Sequence, residues 1–365
     1  PRLGGDEFTV LVSTRIDRHA AGDIADAIHL ALAEPIDVNG DQAAVGAAIG
    51  IAFIEPGLTA SEVLRRADTA MYSAKSMDGT WRTATYSSGL DLNARRREQL
   101  AVDFRKSLAG DQLALAYQPI LETATGRLAG AEALLRWSHW ELGPVAAPLI
   151  VELAEMTGSV DELNAWVFRT AMRDVISCGL PADSSFFVAV NVSPRELELP
   201  TLVANMEAAL VQSGMPPARV VVELSERIVA LGHGESANVT GLTDLGISLA
   251  LDDFGEGQTS LGHLRTLPIK FLKLDRLFVE QADQSIADRT VLDSVVTLAH
   301  DLGFAVIAEG IETASQHEIV AEAGADLLQG YGLHRPMTIW DLARLLGGST
   351  LPAALLEQSP AVEVS

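Results

Sequence analysis

Cysteine is nearly missing from this 365-residue chain: Cys178 stands alone. A single thiol excludes an internal disulfide and any cysteine-rich zinc site, and it fits a reducing compartment, the cytoplasm. Basic residues are also scarce, with 26 Lys and Arg against 49 Asp and Glu and a formal net charge of −23. A nucleic-acid polymer is held by a stripe of Lys and Arg, so DNA and RNA are excluded as partners. No apolar run reaches the ~18–20 residues of a membrane span. No signal-peptide pattern opens the chain. It starts at Pro1 rather than Met, and reads as an excerpt of a longer protein in which any membrane anchor lies upstream. Repeats of 20–50 residues and low-complexity segments are absent too.

What is present is apolar and patterned. At 48% hydrophobic the chain can bury sizeable cores, and its length suggests two domains. Phe8–Val12 and Val45–Phe53 read as strands, with a helix over Ala20–Ala33 between them. Ser61–Lys75 reads as a helix capped by Ser61, and Gly79–Gly89 as irregular. A helix over Asn93–Leu108 connects this small α/β unit to a second, regular one. There, strand-like runs occur at Leu113–Leu121, Ala129–Leu135, Phe186–Val192, Val220–Leu224, Ser248–Asp252, Phe271–Leu274, Ala305–Ala308 and Leu327–Leu328. Helical stretches such as Asp161–Ser177, Leu202–Gln212 and Ile286–Leu302 separate most of them. Eight strands alternating with helices are the layout of a (β/α)8, TIM-like barrel.

Barrel active sites lie at the C-terminal ends of strands. Polar residues gather there: Glu132, Asn191 with Ser193, Glu223 with Glu226, Asp252 with Asp253, Lys273 with Asp275, Glu309 with Glu312, and Gln329. Carboxylates facing one mouth repel each other unless cations neutralise them. The donors are all oxygen, which selects hard ions, Mg²⁺ or Mn²⁺. Adjacent Asp252 and Asp253 could serve two ions, an arrangement suited to displacement at phosphorus. Lys273 adds one fixed positive charge for a phosphate oxygen or an attacking water. Other signals are decoys. Asp253-Phe254-Gly255 mimics a kinase metal motif, but no glycine-rich loop or His-Arg-Asp loop accompanies it. His300 falls at a helix end, where a dipole role is expected, and Cys178 reads as a small buried hydrophobe.

Arg2-Leu3-Gly4-Gly5-Asp6-Glu7-Phe8 resembles the signature of GGDEF, diguanylate cyclase, domains, and residues 46–52 and 64–75 resemble that family's later strand and helix. The second unit resembles an EAL domain, the cyclic di-GMP phosphodiesterase family. The strings are Y-Q-P-I at 117–120, E-A-L-L-R-W at 132–137, A-E-M-T-G at 154–158, V-N-V-S at 190–193 and E-L-S-E at 223–226. They continue as D-D-F-G at 252–255, L-K-L-D at 272–275, A-E-G-I-E at 308–312 and Q-G-Y at 329–331. The resemblance implies an incomplete GGDEF domain over 1–88, a connecting helix over 89–110, an EAL domain over 111–350 and a mobile tail over 351–365.

It further implies a barrel with one strand reversed, two Mg²⁺ or Mn²⁺ ions, and hydrolysis of cyclic di-GMP to linear pGpG. By the same resemblance Glu132, Asn191, Glu223, Asp252 and Asp253 are metal ligands, and Glu309 is a further ligand or base. Lys273 stands beside the nucleophilic water, Gln329 organises the site, and Gln118, Leu135 and Arg136 contact substrate. A homodimer formed through the EAL domain is a further implied partner. The alternative is a non-catalytic cyclic di-GMP receptor. The chain departs from the family at Glu256 and Gln258, where Thr and Tyr are usual, and at Trp140, where Pro is usual. The loop Gly255–Leu261 is therefore expected to limit the rate. With no first half before the GGDEF signature, no cyclase activity is expected of this chain.

Overall fold

The computed structural model describes residues 2–33, 36–38, 41–43, 45–75, 81–110, 112–180, 184–230, 236–255, 264–280, 282 and 285–347. The chain divides into two units, Pro1–Gln99 and Leu100–Ser365.

In the first unit, a helix over Arg18–Leu32 starts two residues before the expected Ala20, because Asp17 caps it by accepting from the Ala20 N–H at 2.9 Å. The next helix, Ala60–Lys75, begins at Ala60, and the Thr59 hydroxyl rather than Ser61 accepts from the Glu62 N–H. The expected strand Phe8–Val12 shrinks to Glu7–Phe8, paired with Arg2–Gly4. Phe8, Val10 and Leu11 are exposed, so the β-branched run has no face to pack on. Conversely Trp81–Thr85, read as irregular, is a strand lying parallel to Ala47–Ile51. The helix Ser88–Ala109 starts five residues earlier than expected.

The second unit is a closed barrel of eight strands: β1 Leu113–Glu122, β2 Leu128–His139, β3 Phe187–Val192, β4 Val220–Ser225, β5 Ser248–Phe254, β6 Phe271–Leu274, β7 Ala305–Ala308 and β8 Leu327–Leu328. Pairing of β3 with β2 closes it. Strand β1 is antiparallel to both neighbours, β2 and β8, while the other barrel pairs are parallel. A short strand, Gly143–Val145, adds to the edge of β2. Helices Val160–Ser177, Leu202–Ser213, Ala237–Asp244, Ile286–Asp301 and Ala314–Ala323 connect the parallel strands.

Alternation of side chains explains where the polar residues end up. The barrel interior has an apolar floor that includes Ile120, Phe187, Ala189, Val221, Ala250, Phe271, Ile307 and Leu327. Two residues beyond most of these, on the same face, come Gln118 on the reversed strand, then Asn191, Glu223, Asp252, Lys273, Glu309 and Gln329. Glu132 occupies the matching position above Gly130. A side chain at Gly130 would meet the Phe187 ring at 2.7 Å, and that ring stacks on Phe271 at 5.4 Å. The intervening strand residues, such as Val188, Val190, Val222 and Leu272, face outward into the large core shared with the helices.

Cys178 lies in that outer core, and burial pushes its thiol up to about 12. His300 lies in the last turn of its helix, as expected, and places Nε2 2.9 Å from the Asp326 carboxylate. The tail over 351–365 lies outside the described residues.

Candidate active site

Lys273 is the centre of the site. It is 1% exposed, and its Nζ lies 2.8 Å from Glu309 Oε1, 2.9 Å from Glu223 Oε1, 3.0 Å from Asp252 Oδ1 and 3.5 Å from Glu132 Oε2. Four strands supply these carboxylates and a fifth supplies the ammonium. Burial alone would discharge the lysine, but the surrounding carboxylates outweigh it and hold the ammonium well above its ordinary value. Glu223 is driven toward its neutral form. Burial first, then repulsion from Glu132 and Asp252, raises it well above the usual carboxylate range. Glu309 is pushed up to about 8, chiefly by burial. Glu132 stays low despite burial, because Lys273, Gln329 and Asn191 all favour its charged form.

Two amides orient Glu132. Asn191 Nδ2 donates to Oε1 at 2.8 Å, and Gln329 Nε2 donates to Oε2 at 2.8 Å. Asp253 has φ +56°, in the left-handed region that non-glycine residues seldom adopt. Its N–H donates to Asp252 Oδ1 at 3.0 Å, which holds the Asp252 carboxylate against the Asp253 backbone. Glu226 is buried and accepts from the Gly255 N–H at 3.1 Å, anchoring the end of β5.

Two groups of carboxylates have ligand atoms mutually within 4.8 Å: Glu132, Glu223 and Asp252, and Asp252, Asp253 and Glu309. Asp252 belongs to both. Glu223 Oε1 faces Lys273 at 2.9 Å, while the buried Glu223 Oε2 and Gln329 Oε1 have no hydrogen-bond partner among the described residues. Orphaned hard oxygens beside two overlapping acidic groups fit divalent cations.

The remaining expected site residues divide. Gln118 is buried on the interior face, with Nε2 3.4 Å from the His334 carbonyl. Arg136 is half-buried and donates to the Leu135 carbonyl at 3.0 Å. Leu135 packs against the apolar cores. Ser193, Asp275 and Glu312 serve local structure. Ser193 forms a capping box with Glu196, Asp275 accepts from the Leu277 N–H at 2.8 Å, and the Glu312 N–H is held by Gln316. Residues 256–261 of the loop that carries Glu256 and Gln258 lie outside the described residues. His334 and Met337 went unnoticed in the sequence. Met337 pairs backbone to backbone with Tyr117 at 2.7 and 2.9 Å, a contact that leaves no side-chain pattern to read.

Comparison with known proteins matches residues 101–336 to the EAL domain family and residues 1–80 to the diguanylate cyclase, GGDEF domain, family. The first is a metal-dependent family. The chain is 33% identical over 339 residues to the bifunctional diguanylate cyclase/cyclic di-GMP phosphodiesterase MucR of Pseudomonas aeruginosa, covering 92% of this chain and 49% of MucR. It is also 33% identical over 355 residues to the cyclic di-GMP phosphodiesterase NbdA of the same organism, covering 97% of this chain and 45% of NbdA. The chain thus spans about half the length of these relatives. Among solved structures, it resembles the MucR phosphodiesterase in complex with c-di-GMP at 32% identity and TM-score 0.62, over 67% of this chain and 99% of that one. It resembles the EAL domain of DcpA from Mycobacterium smegmatis at 29% identity and TM-score 0.55, over 66% of this chain and all of that one.

Proposed function

We propose, from the premise that this chain belongs to the EAL domain family and carries a GGDEF-domain segment ahead of its barrel, that the barrel hydrolyses one phosphodiester of cyclic di-GMP to give linear pGpG. The observation that carries this reading is the pair of acidic groups sharing Asp252 around buried Lys273. In it Glu132, Asn191, Glu223 and Asp252 would hold one Mg²⁺ or Mn²⁺, and Asp252, Asp253 and Glu309 would hold a second. Two such ions supply an activated water and neutralise charge on the phosphate.

The chain's own residues do the rest. Asn191 and Gln329 keep both Glu132 oxygens aimed inward. Lys273 keeps a positive charge at the centre, within reach of a phosphate oxygen or the attacking water. Gln118 and Arg136 reach toward the substrate, while Leu135, on the outward face of β2, packs in the apolar cores. Asp6 and Glu7 of the first unit are exposed and belong to neither acidic group, and we assign this chain no cyclase chemistry. No helix among the described residues is long and apolar enough to cross a membrane. We place this portion in the cytoplasm, where a lone free thiol is stable, and assign it a homodimer through the EAL domain.

The test is incubation of the purified chain with cyclic di-GMP and Mg²⁺ or Mn²⁺, with products separated by chromatography. Linear pGpG should accumulate, cease with excess chelator, and be suppressed by Ca²⁺, which takes longer bonds and more ligands. Full hydrolysis in chelator would overturn the two-ion reading. Tight binding without turnover would make the chain a receptor.

A further inference from the structure

Strand β2 runs past the barrel wall. Its pairing with β3 ends at Ala133, and the short strand Gly143–Val145 takes up that edge from Trp137 to His139. Leu134, Leu135 and Arg136 lie between the two stretches and have no strand on that side among the described residues. Arg136 pairs across to Ala114 of β1, and it shares the inward face of β2 with Glu132. The wall that holds Glu132 therefore stops short of Arg136.

The overhang is held from its outward face instead. Trp137 joins Leu100 and Phe104 of the helix Ser88–Ala109 in an apolar cluster with Leu113, Ile150 and Leu153. Phe104 meets Trp137 edge-on, with centroids 5.6 Å apart. The His139 ring is 3% exposed; Trp137 meets it edge-on at 5.5 Å, and Trp140 stacks on it at 4.0 Å. His139 Nδ1 accepts from the N–H groups of Glu141 and Leu142 at 3.2 and 3.1 Å, so the ring proton is on Nε2. Nε2 lies 3.5 Å from Asp103 Oδ2 on the helix, and this buried nitrogen has no hydrogen bond among the described residues. A buried N–H needs an acceptor, and the Asp103 carboxylate is the group placed to supply it. Asp103 is itself buried, with its other oxygen 3.2 Å from Lys106 Nζ.

We infer that Asp103 and His139 are positioning residues for the substrate: the pair ties the overhang of β2 to the helix and so sets where Arg136 stands over the acidic cluster. This rests on the proposed hydrolysis of cyclic di-GMP, in which Arg136 meets the substrate. The effect falls on binding rather than on the hydrolytic step, because Glu132 is fixed independently. Its strand edge is paired with β3, and Asn191 and Gln329 hold its oxygens. Loosening the overhang moves Arg136 and spares Glu132, and a displacement of about 1 Å can cost a positioned group about 10²-fold.

The experiment uses the full chain with His139→Asn, His139→Gln, Asp103→Ala, Arg136→Ala and the double variant His139→Asn/Arg136→Ala. Asparagine keeps an acceptor for the Glu141 and Leu142 N–H groups but is too short for Asp103, whereas glutamine keeps a donor toward Asp103. His139→Asn and Asp103→Ala should each raise KM for cyclic di-GMP about tenfold with kcat nearly parental, and His139→Gln should restore most of the loss. Once Arg136 is alanine, His139→Asn should cost no more than about twofold further, since the group it positions is gone. Hydrogen exchange should quicken at residues 134–138 in His139→Asn and stay parental at 129–133. Equal KM losses with and without Arg136, a kcat loss as large as the KM change, or recovery by neither residue at 139 would make the pair a structural prop and overturn the inference. Parental exchange at 134–138 in both His139→Asn and Asp103→Ala would overturn it as well. If the parent binds cyclic di-GMP without turning it over, the same shifts are read in Kd by calorimetry. A parent that neither binds nor hydrolyses it would overturn the proposed function and this substrate role together, whereas an active parent with unmoved variants would overturn the inference alone.

Discussion

Strand Ala47–Ile51 and barrel strand β4 are of similar length, five and six residues, and both pair in parallel. Yet all five residues of the first are half-buried, while five of the six in β4 are fully buried. β4 has a parallel neighbour on each side and a helix layer outside. Ala47–Ile51 has one strand neighbour among the described residues, and the cluster beneath it is built from Ala70, Ala74 and Ala84. Parallel sheets are stable when both faces are covered, and a two-stranded sheet on an alanine core has little apolar area to bury. The barrel can therefore keep charged groups at its centre at a cost that the first unit could not offset.

That difference should be visible in variants that strike one unit and spare the other. The largest effect is expected from Glu132→Ala or Asp252→Ala in the barrel. Each should lower hydrolysis by roughly 10³-fold, since positioning of charge is what the site supplies. The fold should persist while the barrel's thermal transition falls, since each variant removes an anionic partner of buried Lys273. Near-parental turnover in either variant would reassign that residue to structure.

Gly50→Val should do the reverse. Its Cβ would lie 2.1 Å from the Ala67 carbonyl oxygen and 2.2 Å from the Met71 nitrogen, both backbone atoms. The close approach of strand and helix must then open, at a cost of about 3 kcal/mol. Calorimetry should show two transitions, with only the lower one displaced and phosphodiesterase activity kept. A single transition that moves as a whole would show the two units unfolding together.

Tyr117→Phe sharpens the same contrast from the barrel side. The Tyr117 hydroxyl donates to Asp174 Oδ2 at 2.8 Å, and both residues are buried. Its removal leaves Asp174 with Arg173 alone among its side-chain partners, and should cost about 1–2 kcal/mol. Only the upper transition should fall.

The smallest expected effect is on acidification. Arg65 and Tyr86 hold Asp91 well below the usual aspartate range, and Arg65 likewise lowers Glu62. A depressed carboxylate contributes stability that is present above its unfolded pKa and is lost as pH falls through the folded one. Burial raises Asp174 and Glu196 instead, so their contribution improves as pH falls toward their unfolded values. Glu122 and Glu132 of the barrel are lowered as well, but Glu223 and Glu309 are raised, so melting followed from pH 7 to pH 3 should show the lower transition weakening first by only a small amount, the Arg65 cluster being solvent-exposed. Parallel decline of both transitions would refute this assignment.

The barrel was legible because its strands carry two superposed signals. Phe271-Leu272-Lys273-Leu274 is an apolar run, as a strand covered on both faces requires, and it contains one charge that must find partners. The same holds for Val220–Leu224 with Glu223, and for the run that ends at Glu309. The first unit was less legible. Trp81–Thr85 alternates too briefly to stand out, and Phe8–Val12 looks like a strand by composition while most of it stays outside any sheet. Capping was misread by two residues, since Thr59 and Ser61 both satisfy the local pattern and only the actual helix start distinguishes them.

By itself, the amino-acid sequence determined the period-two placement of Asn191, Glu223, Asp252, Lys273, Glu309 and Gln329 on the same side of their strands as the apolar floor. That placement follows from strand geometry and needs no knowledge of neighbours. Only the tertiary structure decided that Gln329 meets Glu132, 197 residues away, at 2.8 Å, and that Lys273 is shared by four carboxylates. Those distances depend on closure, on the reversal of β1 between β2 and β8, and on the tilt that closure imposes on every strand at once. They belong to the closed sheet as a whole, and no single segment contains them.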